Sequence, residues 1–208
     1  MKTRAELKAM AKEQIKGKIG ILFVITLIIV AISFAAGLVL SFIPGGGLIA
    51  TIIITPAFTI SLLRVYLNLA NGVNPEVKDT FSGFDDFWSA FKVTFLVGLF
   101  TFLWSLLFIV PGIIKACSYS QATLIVAENK GMSALKAINL SKAMMEGHKM
   151  DYFILGLSFI GWEIVSAFTF GLLYIWLMPY MQATLINFYN DLKPAAPVAA
   201  EPETVTAE

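Results

Sequence analysis

Long apolar runs alternate with short polar segments along almost the whole chain. A run of about 20 apolar residues is what an α-helix needs to cross the hydrocarbon core of a bilayer. The pattern therefore predicts an all-α fold, a polytopic transmembrane helical bundle. The predicted spanning helices are Gly20–Ile43, Leu48–Leu69, Val93–Val110, Ile113–Ala127, Tyr152–Phe170 and Leu172–Phe188.

Short turns pair these six helices into three hairpins. The turns are Pro44-Gly-Gly-Gly47, Pro111-Gly112 and Gly171, where proline cannot continue a helix and glycine turns at little cost. The hairpins cover residues 20–69, 93–127 and 152–188, within a membrane domain predicted at 19–190. Residues 191–208 lack any periodicity and are rich in Ala, Pro, Glu and Thr, which predicts a disordered tail.

An amphipathic helix is predicted over residues 1–18, before the first hairpin. Its apolar positions recur at helical spacing, and basic residues surround them. Such a helix is expected to lie in the membrane interface, with its apolar face in the acyl boundary and its lysines at the headgroups. The alternative is a flank that only sets the topology. The apolar face comprises Leu7, Met10, Ala11 and Ile15, and the predicted membrane-surface lysines are Lys8, Lys12 and Lys16.

Two further amphipathic helices are predicted before the second and third hairpins. In the first of them, a capping box over Ser82–Asp85 precedes an aromatic face made by Phe84, Phe87, Trp88 and Phe91. This face either lies at the membrane surface, with Trp88 as its anchor, or packs against the bundle. The second of them covers Ala134–Glu146.

One seven-residue segment occurs twice with a single difference, at its second residue. Tyr119-Ser-Gln-Ala-Thr-Leu-Ile125 returns as Tyr180-Met-Gln-Ala-Thr-Leu-Ile186, and a weaker echo links Phe95–Trp104 with Phe153–Trp162. Two echoes in the same order predict that the second and third hairpins are copies of one unit. Chance similarity between apolar segments is the alternative.

Composition and charge agree with a membrane protein and place its basic residues on one side. The chain has 208 residues, of which 58% are hydrophobic and 14% are charged, and its net charge is +1. All basic residues except Lys115 fall in segments on the same side of the predicted spans. Because basic segments stay in the cytoplasm, both termini are predicted to be cytoplasmic in a multi-pass protein of the cell membrane. The single Cys117 excludes an intrachain disulfide.

Glu163 is the leading candidate for an intramembrane functional residue. It lies eight residues before Gly171, about 12 Å into the bilayer, where a charged group is costly. Glu163 is therefore predicted to face the bundle interior, where a pair with Lys115 would lower that cost. The predicted polar cluster either fixes helix packing or serves transport. Its members are Glu163, Lys115, Gln121, Gln182, Tyr119 and Tyr180.

Several longer segments resemble a known family. They are Pro111–Gln121, Asn139–Lys149, Leu157–Trp162 and Trp176–Tyr180, and the N-terminal Arg4-Ala-Glu-Leu-Lys-Ala also fits. The chain resembles the bacterial integral-membrane family named only as domain of unknown function 975. The resemblance implies a polytopic bacterial membrane protein and carries over no catalytic residues.

No motif for a reaction is present in the sequence, so an enzyme, a cofactor and a metal site are not expected. The predicted function is a membrane scaffold or accessory protein, immunity-type proteins included, that acts through lipid or helix–helix contacts. The alternative is a small transporter or channel that uses Glu163 and the pair Gln121 and Gln182. The expected partners are the lipid bilayer and other membrane proteins or a second copy, and no nucleic acid.

Overall fold

The structure, a computed structural model, describes residues 2–42 and 46–193, with side chains omitted for 46–51. Every regular element in these ranges is helical, as the apolar periodicity predicts. A 3₁₀ helix, Val77–Asp86, separates the third and fourth α-helices. The α-helices are α1 Arg4–Ile15, α2 Ile19–Leu40, α3 Gly46–Ala70, α4 Phe87–Leu107, α5 Ile109–Tyr119, α6 Ala122–Glu128, α7 Ala134–Met144, α8 Lys149–Leu157, α9 Ile160–Phe168 and α10 Tyr174–Leu192.

Five helical segments of the described chain are long and apolar enough to cross a membrane, one fewer than the sequence analysis predicts. The missing one is α10, whose second half carries Gln182, Thr184 and Asn187 among its apolar residues. Because these polar residues lower its mean hydropathy, α10 does not qualify by composition. The candidate spans are Ile19–Leu40, Ile52–Ala70, Val77–Leu107, Ile109–Glu128 and Lys149–Phe168.

The buried core lies at one set of helix ends. Leu22 and Ile25 are buried near the start of α2, the residues from Ala57 onward are mostly buried in α3, and Ala90 and Val93 are buried near the start of α4. The opposite ends of α2 and α4, and most of α9, expose their apolar side chains. The ends that converge on the core are the ones that the basic residues predict to be cytoplasmic.

Helix α1 belongs to this core. Leu7, Ala11 and Ile15 are buried, with Leu7 only 2% exposed, and the helix packs along α10. These three side chains of the predicted apolar face therefore contact protein rather than the acyl boundary, whereas Met10 is only half-buried. The location of the helix in the membrane interface stays a prediction. Gln14 and Asn187 join the two helices by a reciprocal pair of amide hydrogen bonds, each 3.0 Å long.

The aromatic segment before the second hairpin divides between two environments. Phe84 contacts the ring of Phe58 on α3, with 5.1 Å between centroids, whereas Trp88 is exposed at the start of α4. The predicted capping box at Ser82–Asp85 does not form: at the start of the 3₁₀ helix, the N–H of Glu76 donates to the carboxylate of Asp79 at 2.9 Å instead. Phe87 and Phe91 belong to α4 rather than to a separate helix.

The two echoed hairpins break at different places. In the second hairpin α4 is continuous and the return arm divides at Ser120 and Gln121 into α5 and α6. In the third, the first arm divides near Ser158 and Phe159 into α8 and α9, whereas α10 continues through the repeated heptad. The sequence echo therefore does not extend to helix geometry, and the duplication stays a prediction.

The first three residues of the predicted tail belong to the described structure. Residues 191 and 192 complete α10, and Lys193 forms an ion pair with Glu128. The rest of the tail and the turn residues 43–45 lie outside the described residues. The backbone N–H of Lys2 donates to Asp191 at 2.7 Å, so the two ends of the described chain are neighbours.

Candidate functional site

Glu163 is exposed on α9 and does not face the interior of the helical core. Lys115 is half-buried on α5, and its ammonium group lies 4.6 Å from the ring centroid of Trp104 on α4. The predicted pair between Glu163 and Lys115 does not form in the described chain, because no ion pair joins them. The expectation that Glu163 points inward is wrong, since α9 extends away from the core instead of packing along α5.

Gln121 lies in a buried polar cluster at the break between α5 and α6. A helix break leaves carbonyl and N–H groups without intrahelical partners. Ser141 on α7 satisfies two of them: its hydroxyl donates to the carbonyl of Ser118 at 2.7 Å and accepts from the N–H of Gln121 at 3.2 Å. The side chain of Gln121 is 1% exposed and donates to Ser120 at 2.7 Å. This cluster holds α7 against α5 and the break that follows it.

Gln182 is half-buried on α10 and does not join the Gln121 cluster. The six residues of the predicted polar cluster are therefore divided among separate environments. Glu163 is exposed on α9, the ammonium group of Lys115 lies over an aromatic ring of α4, and Gln121 is buried against α7. The sequence analysis could not distinguish these environments, because all three residues sit in similar apolar runs.

The repeated tyrosines have similar surroundings even though their hairpins differ. Tyr119 is buried beside Phe100, and the ammonium group of Lys142 on α7 lies 5.6 Å from its ring centroid. Tyr180 is buried between Phe159 and Trp176, and the ammonium group of Lys12 on α1 also lies 5.6 Å from its ring. In both copies a lysine of a short helix covers the tyrosine.

The predicted membrane-surface lysines differ in what they contact. Lys8 lies 4.2 Å from the ring centroid of Phe159 and donates to the carbonyl of Ser158 at 3.4 Å. Partial burial lowers the pKa of Lys8, and the neighbouring Arg4 and Lys12 act in the same direction. Lys12 and Lys16 are exposed, so their contact with headgroups stays a prediction. The predicted surface role of Trp88, which is also exposed, is likewise untested.

Arg64 is the functional candidate that the sequence analysis missed. It lies near the end of α3 but is only 7% exposed. Its Nε–H donates to the carbonyl of Ala127 at 2.9 Å, and an Nη1–H donates to the carbonyl of Ser82. An arginine inside an apolar run is the signal that could have identified it, because such residues are usually functional.

A polar cavity of about 300 Å³ adjoins Arg64. It lies where the end of α3 meets the 3₁₀ helix and the end of α6. Its polar lining comprises Arg64, Asn68, Asn71, Asp79, Ser82, Glu128 and Lys130.

A comparison with family models gives a match along nearly the whole chain. The model described as a protein of unknown function, DUF975, matches residues 1–118 and 110–196. The chain belongs to this family. The resemblance noted in the sequence is thereby confirmed. The DUF975 matches include α1 to α10, the Gln121 cluster and every residue that lines the Arg64 cavity. No curated protein and no solved structure matches the chain.

Proposed function

We propose that this DUF975 protein is a membrane scaffold or accessory protein that binds a transmembrane helix of a partner through α9. The observation that carries the proposal is the exposed apolar surface of α9. Ile164 is 55% exposed and Phe168 is 81% exposed, and Trp162 is also exposed. An apolar helix that its own chain leaves uncovered is suited to contact lipid or another apolar helix.

Glu163 favours a protein partner over lipid alone. Its carboxylate lies on the same exposed helix as these apolar side chains. A charged group in contact with lipid costs several kcal/mol, so it is expected to be paired, hydrated or protonated. A partner helix with a hydrogen-bond donor at that depth would lower this cost. The partner is therefore expected to present a donor, such as a basic, hydroxyl or amide side chain, to Glu163.

Photocrosslinking in living cells tests this proposal. A photoreactive phenylalanine analogue at Val165, an exposed position next to Glu163 in α9, is expected to give a protein adduct. The same analogue at Val30, an exposed position on α2, is the matched control and is expected to give little adduct. The Val165 adduct should persist in Glu163→Gln, which keeps hydrogen bonding, and be lost in Glu163→Leu. Equal yields of adduct from both positions, or a yield at Val165 that is unchanged in Glu163→Leu, would contradict the proposal.

We also propose that both termini are cytoplasmic. The hydrogen bond between Lys2 and Asp191 supports an even number of crossings, because it brings the two ends of the described chain together. This topology requires α10 to cross the membrane as a sixth span, in addition to the five segments that qualify by length and composition. Reporter fusions after Gly112 and Gly171 are expected to be active outside, and fusions after Gly131 and Leu192 inside. An outside signal after Gly131 would mean that Ile109–Glu128 does not cross the membrane. An outside signal after Leu192 would place the two termini on opposite sides of the membrane and contradict the proposal.

A further inference from the structure

The guanidinium group of Arg64 is buried and forms no ion pair in the described chain. Its two hydrogen bonds go to uncharged carbonyl oxygens, and Nη2 has no hydrogen-bond partner in the described chain. A buried charge is costly unless it is paired, so this arrangement favours an anionic group beside Arg64.

The neighbouring carboxylates do not supply that group, because other partners hold them. Asp85 pairs with Lys130 at 3.2 Å, and Asp86 accepts from the N–H of Gly131 at 2.7 Å. Glu128 accepts from the hydroxyl of Tyr189 at 2.7 Å and also pairs with Lys193. Each of these contacts engages a carboxylate with another partner. Asp85 and Asp86 remain near enough to interact with the charge of Arg64, but neither forms an ion pair with it.

The cavity beside Arg64 has room for a small ligand and carries both signs of charge. Its volume of about 300 Å³ is at the lower end of the range for ligand sites. Asp79 and Glu128 line it together with Arg64. Lys130 also lines the cavity, so two basic and two acidic side chains surround it, and an anion without an ammonium group would be repelled by the two carboxylates. A ligand that carries an ammonium group beside its anionic group would meet complementary charges on both sides.

We propose that the Arg64 cavity binds a small zwitterion, in which a phosphate or carboxylate meets Arg64 and an ammonium group meets Asp79. One oxygen of Asp79 already accepts from the N–H of Glu76 at 2.9 Å, which holds the side chain in place and leaves the other oxygen for the ligand. A phospholipid headgroup and a free metabolite can both present this chemistry. This site is separate from α9 and does not depend on the proposed partner helix.

Thermal unfolding of the full chain in detergent tests the binding. Phosphoethanolamine is the probe, because it carries both charges and is soluble. Since a ligand that binds only the folded state stabilises it, phosphoethanolamine is expected to raise the unfolding temperature in a saturable way. Inorganic phosphate should give a smaller shift. An absence of any shift with phosphoethanolamine would overturn the proposal, and an equal response to inorganic phosphate would overturn the role of the ammonium group.

Asn68→Asp is the variant that tests the role of Arg64. Asn68 is one helical turn after Arg64 on α3 and lines the same cavity. A carboxylate there can pair with the guanidinium group in place of the ligand. The variant is expected to unfold at a higher temperature without ligand and to bind phosphoethanolamine at least about tenfold more weakly. Unchanged binding would overturn the proposal.

Asn74→Asp is the matched control, because it adds the same charge at an exposed position that does not line the cavity. It should leave both measurements unchanged.

Nanodiscs distinguish the two sources of the ligand. If the headgroup of phosphatidylethanolamine occupies the cavity, nanodiscs of that lipid should abolish the response to the soluble probe, and nanodiscs of phosphatidylglycerol should preserve it. A free metabolite predicts a response in both.

Discussion

Gly83→Ala is expected to cause the largest loss of stability of any single methyl addition considered for this chain. An added Cβ would lie 2.8 Å from the hydroxyl oxygen of Ser61 and 2.9 Å from the carbonyl carbon of Ala57, and closer still to the carbonyl oxygen of Ala57. Two of these atoms are backbone atoms of α3, which cannot move aside as a flexible side chain can. The 3₁₀ helix must therefore shift away from α3.

The expected cost of Gly83→Ala has two parts. Overpacking of a closely packed site costs about 1–3 kcal/mol, and more where backbone atoms are the obstacle. The shift also weakens the hydrogen bond from the N–H of Gly83 to Ser61, which is 2.8 Å long and contributes about 0.5–1.5 kcal/mol. The carbonyl of the preceding Ser82 accepts from Arg64, so the same shift should disturb the Arg64 cavity.

Thermal unfolding in detergent and the yield of folded protein measure this effect. Gly98→Ala is the matched control, since Gly98 is in α4 and nothing lies within 4 Å of its added Cβ. Alanine has the higher helix propensity, so the control is expected to be neutral or slightly stabilising. A Gly83→Ala protein as stable as Gly98→Ala would show that the 3₁₀ helix does not pack on α3 as described.

Gly112→Ala is expected to open the hairpin between α4 and α5. Phe108 is extended between the two helices, and the N–H of Gly112 donates to its carbonyl at 3.1 Å. The chain then returns so closely that an added Cβ on Gly112 would lie 2.8 Å from Cα and 3.0 Å from Cβ of Ser105, and closer still to its hydroxyl oxygen. The expected cost is about 1–3 kcal/mol.

The partner variant Ser105→Gly separates side-chain from backbone crowding at this hairpin. It removes the hydroxyl and Cβ but leaves Cα in place, so it should restore only part of the stability lost in Gly112→Ala. Gly156→Ala on α8 is the control, because nothing lies within 4 Å of its added Cβ. Measured by thermal unfolding in detergent, full rescue by Ser105→Gly would contradict the close backbone approach, and a neutral Gly112→Ala would contradict the hairpin geometry itself.

The positions of the apolar helices could be predicted from the sequence because they depend on local properties. The first run was predicted to start at Gly20, and α2 starts at Ile19. The second was predicted to end at Leu69, and α3 ends at Ala70. The break at Ser120 and Gln121 was not predicted, because neither residue is a strong helix breaker. It depends on Ser141, which lies on a different helix and supplies hydrogen bonds to the groups that the break leaves free.

The sequence by itself determined that the chain is helical and apolar, where most of its helices lie, and which family it belongs to. Length, periodicity and turn residues are local, so no distant contact was needed. The tertiary structure alone decided the environments of Glu163 and Arg64. Each is a single charge within an apolar run, yet Glu163 is exposed on α9 and Arg64 is buried beside a polar cavity. Burial and pairing depend on which helices meet, and the residues that surround a charge can be far apart in the sequence. Ser82 and Ala127, whose carbonyl groups accept hydrogen bonds from Arg64, are an example.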